Sequence, residues 1–196
     1  DFINSDLNSF FDNTSILETS TKKKWIEFIE SVKNNFKDDY PEDSEFCSPN
    51  LFFEFFSELA PANSVITADV GQNQMWQAQS WKIKDGQTLL FSGGMGAMGF
   101  SLPASIGAYC ANVLNNVFSF MGDGGFQINI QELETIKHNN LPIKIFIFNN
   151  YSLGMVREFQ DQYFNKNYQS TVIGYSCPNI EKIAEAYGFK YFKINK

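Results

Sequence analysis

One histidine, His138, and three cysteines, Cys47, Cys110 and Cys177, are all the chain offers as imidazole or thiolate ligands. They are scattered and form no C-x-x-C pair, so a structural zinc site lacks its ligands and no disulfide framework is implied. A reducing, cytoplasmic setting is the expectation. Basic residues are also short, with 15 Lys and Arg against 22 Asp and Glu and a net charge of −7. A nucleic-acid backbone asks for a basic face, so no such partner is expected. Long apolar runs are missing too. No stretch approaches the roughly eighteen residues of a membrane span, and since no basic segment followed by an apolar run opens at Asp1-Phe2-Ile3-Asn4, no signal peptide is expected there. Asn13-Thr14-Ser15 fits a glycosylation triplet, which a cytoplasmic chain leaves unused.

Packing material, by contrast, is plentiful. Aromatics make up 16% of the 196 residues, with 21 Phe, enough for one substantial core but not for two domains of ordinary size. Trp25, Phe28, Ile29, Val32 and Phe36 recur at helical spacing from Thr21 onward. Lys22, Lys23 and Lys24 fall on the solvated side or entry of that helix. The acidic segment from Asp38 to Pro49, with its two prolines, reads as a linker.

Beyond it, elements alternate. Leu51 to Leu59 reads as a helix, Ser64 to Ala68 as a buried strand, Leu89 to Phe91 as a second, and Pro103 to Ala111 as a helix with proline in its first turn. Val117 to Met121 is a third strand, Ile128 to Asn139 a helix, and Ile143 to Phe148 a fourth strand. Ile180 to Tyr187 reads as a helix, before strand-like Lys190 to Ile194. Such alternation predicts an α/β fold, a three-layer α/β/α sandwich whose mainly parallel sheet carries helices on both faces. Ligands of such sheets lie beyond the strands' carboxyl ends.

Two of those ends carry chemistry. Asp123 stands between Gly122 and Gly124 after the third strand, with the amides of Gly124, Gly125 and Phe126 available to an anion. Asn150 of Asn149-Asn150 follows the fourth strand, twenty-seven positions later. In a βαβ unit that distance brings the chain to the neighbouring strand end, so both side chains could reach one ion. Magnesium suits such oxygen donors, because it keeps phosphate oxygens and water in its octahedron. Glycine-aspartate-glycine alone is commonly a mere turn. Gly94-Met-Gly-Ala-Met-Gly99 also fits the G-x-G-x-x-G template of dinucleotide binding, with Asp123 near the place of a ribose-binding acid. That nicotinamide reading leaves Asn149-Asn150 unexplained.

Gly122-Asp123-Gly124 with Asn149-Asn150 at this spacing resembles the thiamine diphosphate-binding motif. Further blocks resemble acetolactate synthase and its relatives: Asp69 to Trp76, Ser92 to Pro103, Gly122 to Gln127, Gln131 to Leu133 and Asn149 to Val156. The resemblance implies thiamine diphosphate and Mg2+ as cofactors, the ion being held by Asp123, the Asn150 side chain and the Ser152 carbonyl. Val70, Gly71, Gln72 and Asn73 would lie against the diphosphate. Gly122, Gly124, Gly125, Leu153, Gly154 and Met155 would complete its cradle. The Gly96 carbonyl would accept from the aminopyrimidine, and Met98 would hold the cofactor bent, so that its own amino group serves as an internal base. The chemistry implied is decarboxylation of a 2-oxo acid followed by carboligation.

Two departures bear on substrate: Asn73 stands where the family usually has histidine, and Phe159 where it usually has a tryptophan that shapes the acceptor pocket. They leave room for a simple decarboxylase or a specialised carboligase. By the same resemblance, residues 1–48 are the tail of a middle domain plus helix and linker, and residues 49–196 are a diphosphate- and magnesium-binding domain incomplete at its C-terminus. The activating glutamate belongs to a pyrimidine-binding domain of the same or a neighbouring chain, in a homodimer or homotetramer. The 196 residues are therefore expected to be a fragment, silent by itself.

Overall fold

The computed structural model describes residues 23–35, 47–111 and 116–194. The segment 1–22, with Asn13-Thr14-Ser15, and most of the expected linker lie outside them, as does Phe36. The chain divides into two compact units, Asp1–Pro41 and Glu42–Lys196. In the first, the amphipathic stripe forms helix α1 (Lys23–Asn35).

The second unit opens with α2 (Pro49–Leu59), two residues earlier than the apolar pattern begins. Ser48 caps it by accepting from the Leu51 amide (3.5 Å), and Pro49 occupies its first turn, where no N–H is needed. Pro49 thus starts the helix rather than ending a linker. The succession is β1 (Ser64–Ala68), α3 (Gln72–Ser80), β2 (Thr88–Phe91), α4 (Ser101–Ala111), β3 (Asn116–Gly122), α5 (Asp123–Ile128), α6 (Glu132–His138), β4 (Lys144–Phe148), α7 (Gly154–Tyr163) and α8 (Ile180–Ala186). The four strands form a wholly parallel sheet in the order β2-β1-β3-β4.

Strand alternation sorts the core into two chemistries. One face carries Val65, Val117, Met121, Ile145 and Ile147, covered by Leu102 of α4, Phe126 of α5, Leu133 and Ile136 of α6, and Ile180 and Ile183 of α8. The other carries Ile66, Phe118, Phe120, Phe146 and Phe148, covered by Phe52, Phe53 and Phe56 of α2 and Trp76 of α3. Phe120 and Phe146 stack at 4.7 Å between centroids, and Phe56 meets Phe146 edge-on at 4.9 Å. The abundant phenylalanine therefore fills one side of the sheet. The aliphatic side has a polar seam, where Ser101 of α4 hydrogen-bonds Thr67 and Ser119 (both 2.8 Å). Helices on both faces give the expected three-layer α/β/α sandwich.

Other differences have local causes. The helix expected over Ile128–Asn139 starts only at Glu132 and ends at His138, and Ile128 instead closes the separate helix α5. The expected run breaks at Asn129–Gln131, where the Asn129 side chain bonds the Gly99 carbonyl (2.7 Å) rather than continuing the helix. The helices α3 and α7 were not expected. The first is rich in glutamine and buries Asn73, Gln77 and Ser80, so it lacks an apolar stripe. The stretch Lys190 to Ile194 is not a strand, since alternation makes a strand only where a neighbour supplies a ladder.

Candidate functional site

The chain reverses direction across the sheet between β1 and β3. Its path runs from β1 outward to β2, then back over β1 to β3 and on to β4. At such a switch point the loops from two central strand ends diverge and leave a crevice. The register fixes what borders it. Ala68 pairs with Phe120, and Gly122 with Phe148. Asp69 therefore follows β1 two residues below Asp123, while Asp123 and Asn149 leave adjacent strands at the same level.

Asp123 is the first residue of α5 and 1% exposed. Burial raises its pKa. The Tyr175 hydroxyl and the amides of Asp123, Gly124 and Tyr151 work against that shift by favouring the carboxylate. Oδ2 of Asp123 has no partner. Because α5 has six residues, its dipole is small, and with the Asp123 and Gly124 amides turned to the Asp123 carboxylate, the amides of Gly125 and Phe126 are what its first turn offers an anion.

Asn149 and Asn150 each fold back on the chain. Asn149 Oδ1 accepts from the Tyr151 amide, and Asn150 Oδ1 from the Ser152 amide, both at 3.1 Å. These successive side-chain turns drive Tyr151 into a left-handed conformation (φ 51°). They also carry the Tyr151 amide to the Asp123 carboxylate. Asn150 is exposed, and its Nδ2 donates to Gln72 Oε1 (3.2 Å). That bond fixes the amide, and Oδ1 keeps a second lone pair for an ion. Ser152 is buried, and its hydroxyl is unpaired.

From β1, Asn73 at the start of α3 is 2% exposed with Oδ1 unpaired, and its Nδ2 approaches both Gly71 and Gly122. Val70, Gly71 and Gln72 are half-buried beside it. Close approach explains several glycines. A Cβ on Gly124 would meet Leu153 Cδ2 at 2.6 Å and Met98 Cε at 3.1 Å, one on Gly125 would strike the Asp69 carboxylate, and one on Gly154 would strike Gln72. Met98 thus rests against Gly124, while Gly96, in an exposed turn with φ +66°, lies at the outer part of its loop. Met155 is exposed and lines a groove of about 360 Å³ with Met75, Trp76 and Phe159. The structure thus gathers Asn73, Gly122, Asp123, Gly124, the loop at Asn150–Leu153 and Met98. It leaves Gly96 and Met155 at the periphery.

Tyr175 was not expected here. Its hydroxyl bonds Asp123, lies 3.4 Å from where a Gly124 Cβ would stand, and accepts from Gln127 Nε2 (3.4 Å). Burial and the Asp123 charge raise its pKa, and the same two causes raise that of Cys177. About fifty positions separate Tyr175 from Asp123, and no periodicity bridges them. His138, at the exposed end of α6, is remote from this chemistry.

Three of the four buried polar side-chain atoms lacking a partner among the described residues, on Asn73, Asp123 and Ser152, border one crevice. Orphaned buried polar groups are costly unless a ligand completes them. Among the described residues no group of three His, Cys, Asp or Glu could hold a metal. An ion here would therefore draw on one carboxylate, amide and main-chain oxygens and ligand oxygens, a donor set that fits magnesium diphosphate. The dinucleotide reading fits poorly. The G-x-G-x-x-G loop follows the edge strand β2, and β1 separates β2 from the strand leading to Asp123, whereas a ribose-binding acid ends the adjacent strand.

Residues 69–196 match the family described as "Thiamine pyrophosphate enzyme, C-terminal TPP binding domain". The chain is 38% identical over 171 residues to the acetolactate synthase large subunit of Lactococcus lactis, an alignment covering 87% of the chain and 30% of that protein. It is 40% identical over 184 residues to a probable acetolactate synthase large subunit of Methanocaldococcus jannaschii (91% and 31%). It is 38% identical over 179 residues to acetolactate synthase 1, chloroplastic, of Zea mays (88% and 27%). The chain spans about three tenths of the length of these curated relatives.

Proposed function

The chain belongs to the thiamine pyrophosphate enzymes through their C-terminal cofactor-binding domain, and on that premise we propose that it carries the diphosphate- and magnesium-binding part of an acetolactate synthase-like, 2-oxo acid decarboxylating carboligase. The observation that carries this reading is the convergence of unpaired buried atoms on Asn73, Asp123 and Ser152 around Gly122-Asp123-Gly124.

In this reading Asp123, Asn150 Oδ1 and the Ser152 carbonyl hold Mg2+. Val70, Gly71, Gln72, Asn73 and the backbone of Gly122, Gly124, Gly125, Leu153, Gly154 and Met155 cradle the diphosphate. The Gly96 carbonyl and the Met98 side chain serve the aminopyrimidine half. When bound, thiamine diphosphate supplies the electron sink for loss of carbon dioxide from a 2-oxo acid. The residues of this chain supply position. Asp123 brings negative charge to the ion at the crevice floor, Gln72 fixes the Asn150 amide, and Leu153 and Met98 close over Gly124 and keep water from it. The activating carboxylate comes from a pyrimidine-binding domain of the same or a neighbouring chain, in a homodimer or homotetramer. Residues 49–196 form the cofactor domain, and 1–48 the tail of a middle domain with its linker.

A cytoplasmic setting is part of the proposal. Among the described residues no helix is long and apolar enough to cross a membrane. Product analysis of the full-length enzyme with pyruvate tests the reading. Acetolactate is expected, and acetaldehyde alone would replace the synthase with a decarboxylase. Phe159, 55% exposed in the groove beside Met155 and Trp76, is the departure that makes this second outcome concrete.

A further inference from the structure

Asp69 is a buried carboxylate that the chemistry above does not use. It leaves the end of β1 at 1% exposure, and its partners are backbone amides. Gly99 donates to Oδ1 and Ser101 to Oδ2, each at 2.9 Å, with the Val70 amide also directed at it. On its far side the Gly125 backbone comes so close that a Cβ there would strike the carboxylate.

The loop it holds is the one bearing Gly96 and Met98. Residues 93–97 are exposed, and Gly96 and Gly99 have φ of +66° and +83°. Both polar groups of Gly99 are gripped, its amide by Asp69 and its carbonyl by Asn129 Nδ2 (2.7 Å). One end of the loop is therefore pinned to β1 and to the α5–α6 break, while its exposed outer turn is held by its own bonds, Gly96 N–H to the Ser92 carbonyl (3.2 Å) and Ala97 N–H to Ser92 Oγ (3.3 Å). A buried carboxylate is costly, and the fold bears that cost where this loop abuts the turn carrying Asp123.

We propose that Asp69 is a positioning residue that sets the separation between the Gly96–Met98 loop and the Gly122–Gly125 turn, so that both ends of one bound cofactor meet their partners together. This rests on the thiamine diphosphate reading of the crevice. Asp69 lies below the ligand and acts through the two segments it joins. Loss of its grip changes how the far end of the ligand is held more than how the diphosphate is anchored. Small misplacements of reacting groups lower turnover steeply.

The test uses the full-length enzyme. In Asp69→Asn the amide NH2 must face either the Gly99 or the Ser101 donor, so one tie is lost without a change of volume. Magnesium-dependent thiamine diphosphate affinity, measured by calorimetry, should stay within about threefold of wild type, while kcat falls by about tenfold or more. Hydrogen exchange at residues 93–99 should quicken. Turnover within about twofold of wild type, or affinity lost in parallel with turnover, would overturn the proposal. Should Asp69→Asn not fold, Asn129→Ala releases the other grip on Gly99 from a less buried place, and an unchanged kcat there would equally overturn it. Failure of the parent reading shows separately, as wild-type enzyme that binds no thiamine diphosphate with magnesium. Exchange at 93–99 in unliganded Asp69→Asn scores the grip independently of that reading, and unchanged exchange refutes it.

Discussion

Two acids, two residues apart in level, do different work. Asp123 faces the crevice with one oxygen unpaired, while Asp69 is saturated with amides beneath it. Replacing Asp123 by alanine removes the charged ligand proposed for the ion. Magnesium-dependent affinity of the full-length enzyme for thiamine diphosphate should then fall by about a hundredfold or more, more than is lost when groups merely supporting a ligand are removed. Calorimetry at fixed magnesium checks this, and near-normal affinity would put the ion elsewhere. For Asp69, burial outweighs its amide bonds and raises the pKa above the ordinary 3.8. Its folded form holds the proton more tightly than its unfolded form. The resulting stabilisation is complete below pH 3.8 and is lost as the pH rises through the folded value. Wild type should thus lose stability relative to Asp69→Asn as the pH is raised, measured as the difference in urea midpoints across that range. A flat difference would mean that burial leaves the proton affinity unchanged. At this scale, the neighbouring placement of Asp123 and Asn150 was legible because each follows a strand end within one βαβ unit. Tyr175 was not, because only the tertiary fold returns it.

Among elements, β3 matters most, since it supports both cores and ends at the crevice. Phe120 is fully buried between the rings of Phe53 (5.2 Å), Phe56 (5.7 Å), Trp81 (6.0 Å) and Phe146 (4.7 Å). Truncation to alanine should cost about 3–5 kcal/mol, as the rings around it cannot all collapse into the space. Chemical denaturation of the cofactor-free protein measures it, and a cost below about 1 kcal/mol would mean that this core is loosely packed. The strands β1, β3 and β4 were readable from short apolar runs bounded by turn residues. The helix α3 was hidden because its buried face is polar, carrying Asn73, Gln77 and Ser80. A helix that buries polar groups leaves no stripe of apolar residues to find.

At the scale of the whole molecule, the three-layer order followed from the alternation of strand and helix. The two-sided chemistry of the core did not, because which face a strand residue takes depends on register. A ligand that binds only the folded state stabilises it by mass action. Thiamine diphosphate with magnesium at a hundredfold its dissociation constant should add about 2.7 kcal/mol to the full-length enzyme. Thermal denaturation with and without magnesium tests this, and an unshifted midpoint would argue against the cofactor. The 196 residues alone should show no 2-oxo acid turnover, since the proposed activating carboxylate lies on another domain, and measurable turnover would remove that requirement.

The stagger between β1 and β3 has a consequence for how this crevice could be re-engineered. Thr67 and Asp69 point to the same side of the sheet as Ser119 and Asp123, and to the opposite side from Phe118 and Phe120. A residue inserted within β1 would swing Asp69 over to the phenylalanine side, where no amide awaits it, even though every loop kept its sequence. Transplanting the glycine loops alone into another parallel sheet would therefore import the lining of the crevice without its ruler. The smallest portable unit is the four-stranded sheet in register, together with the loops that follow each strand, since Gly99 and Ser101 come after β2 and Asn150 and Ser152 after β4.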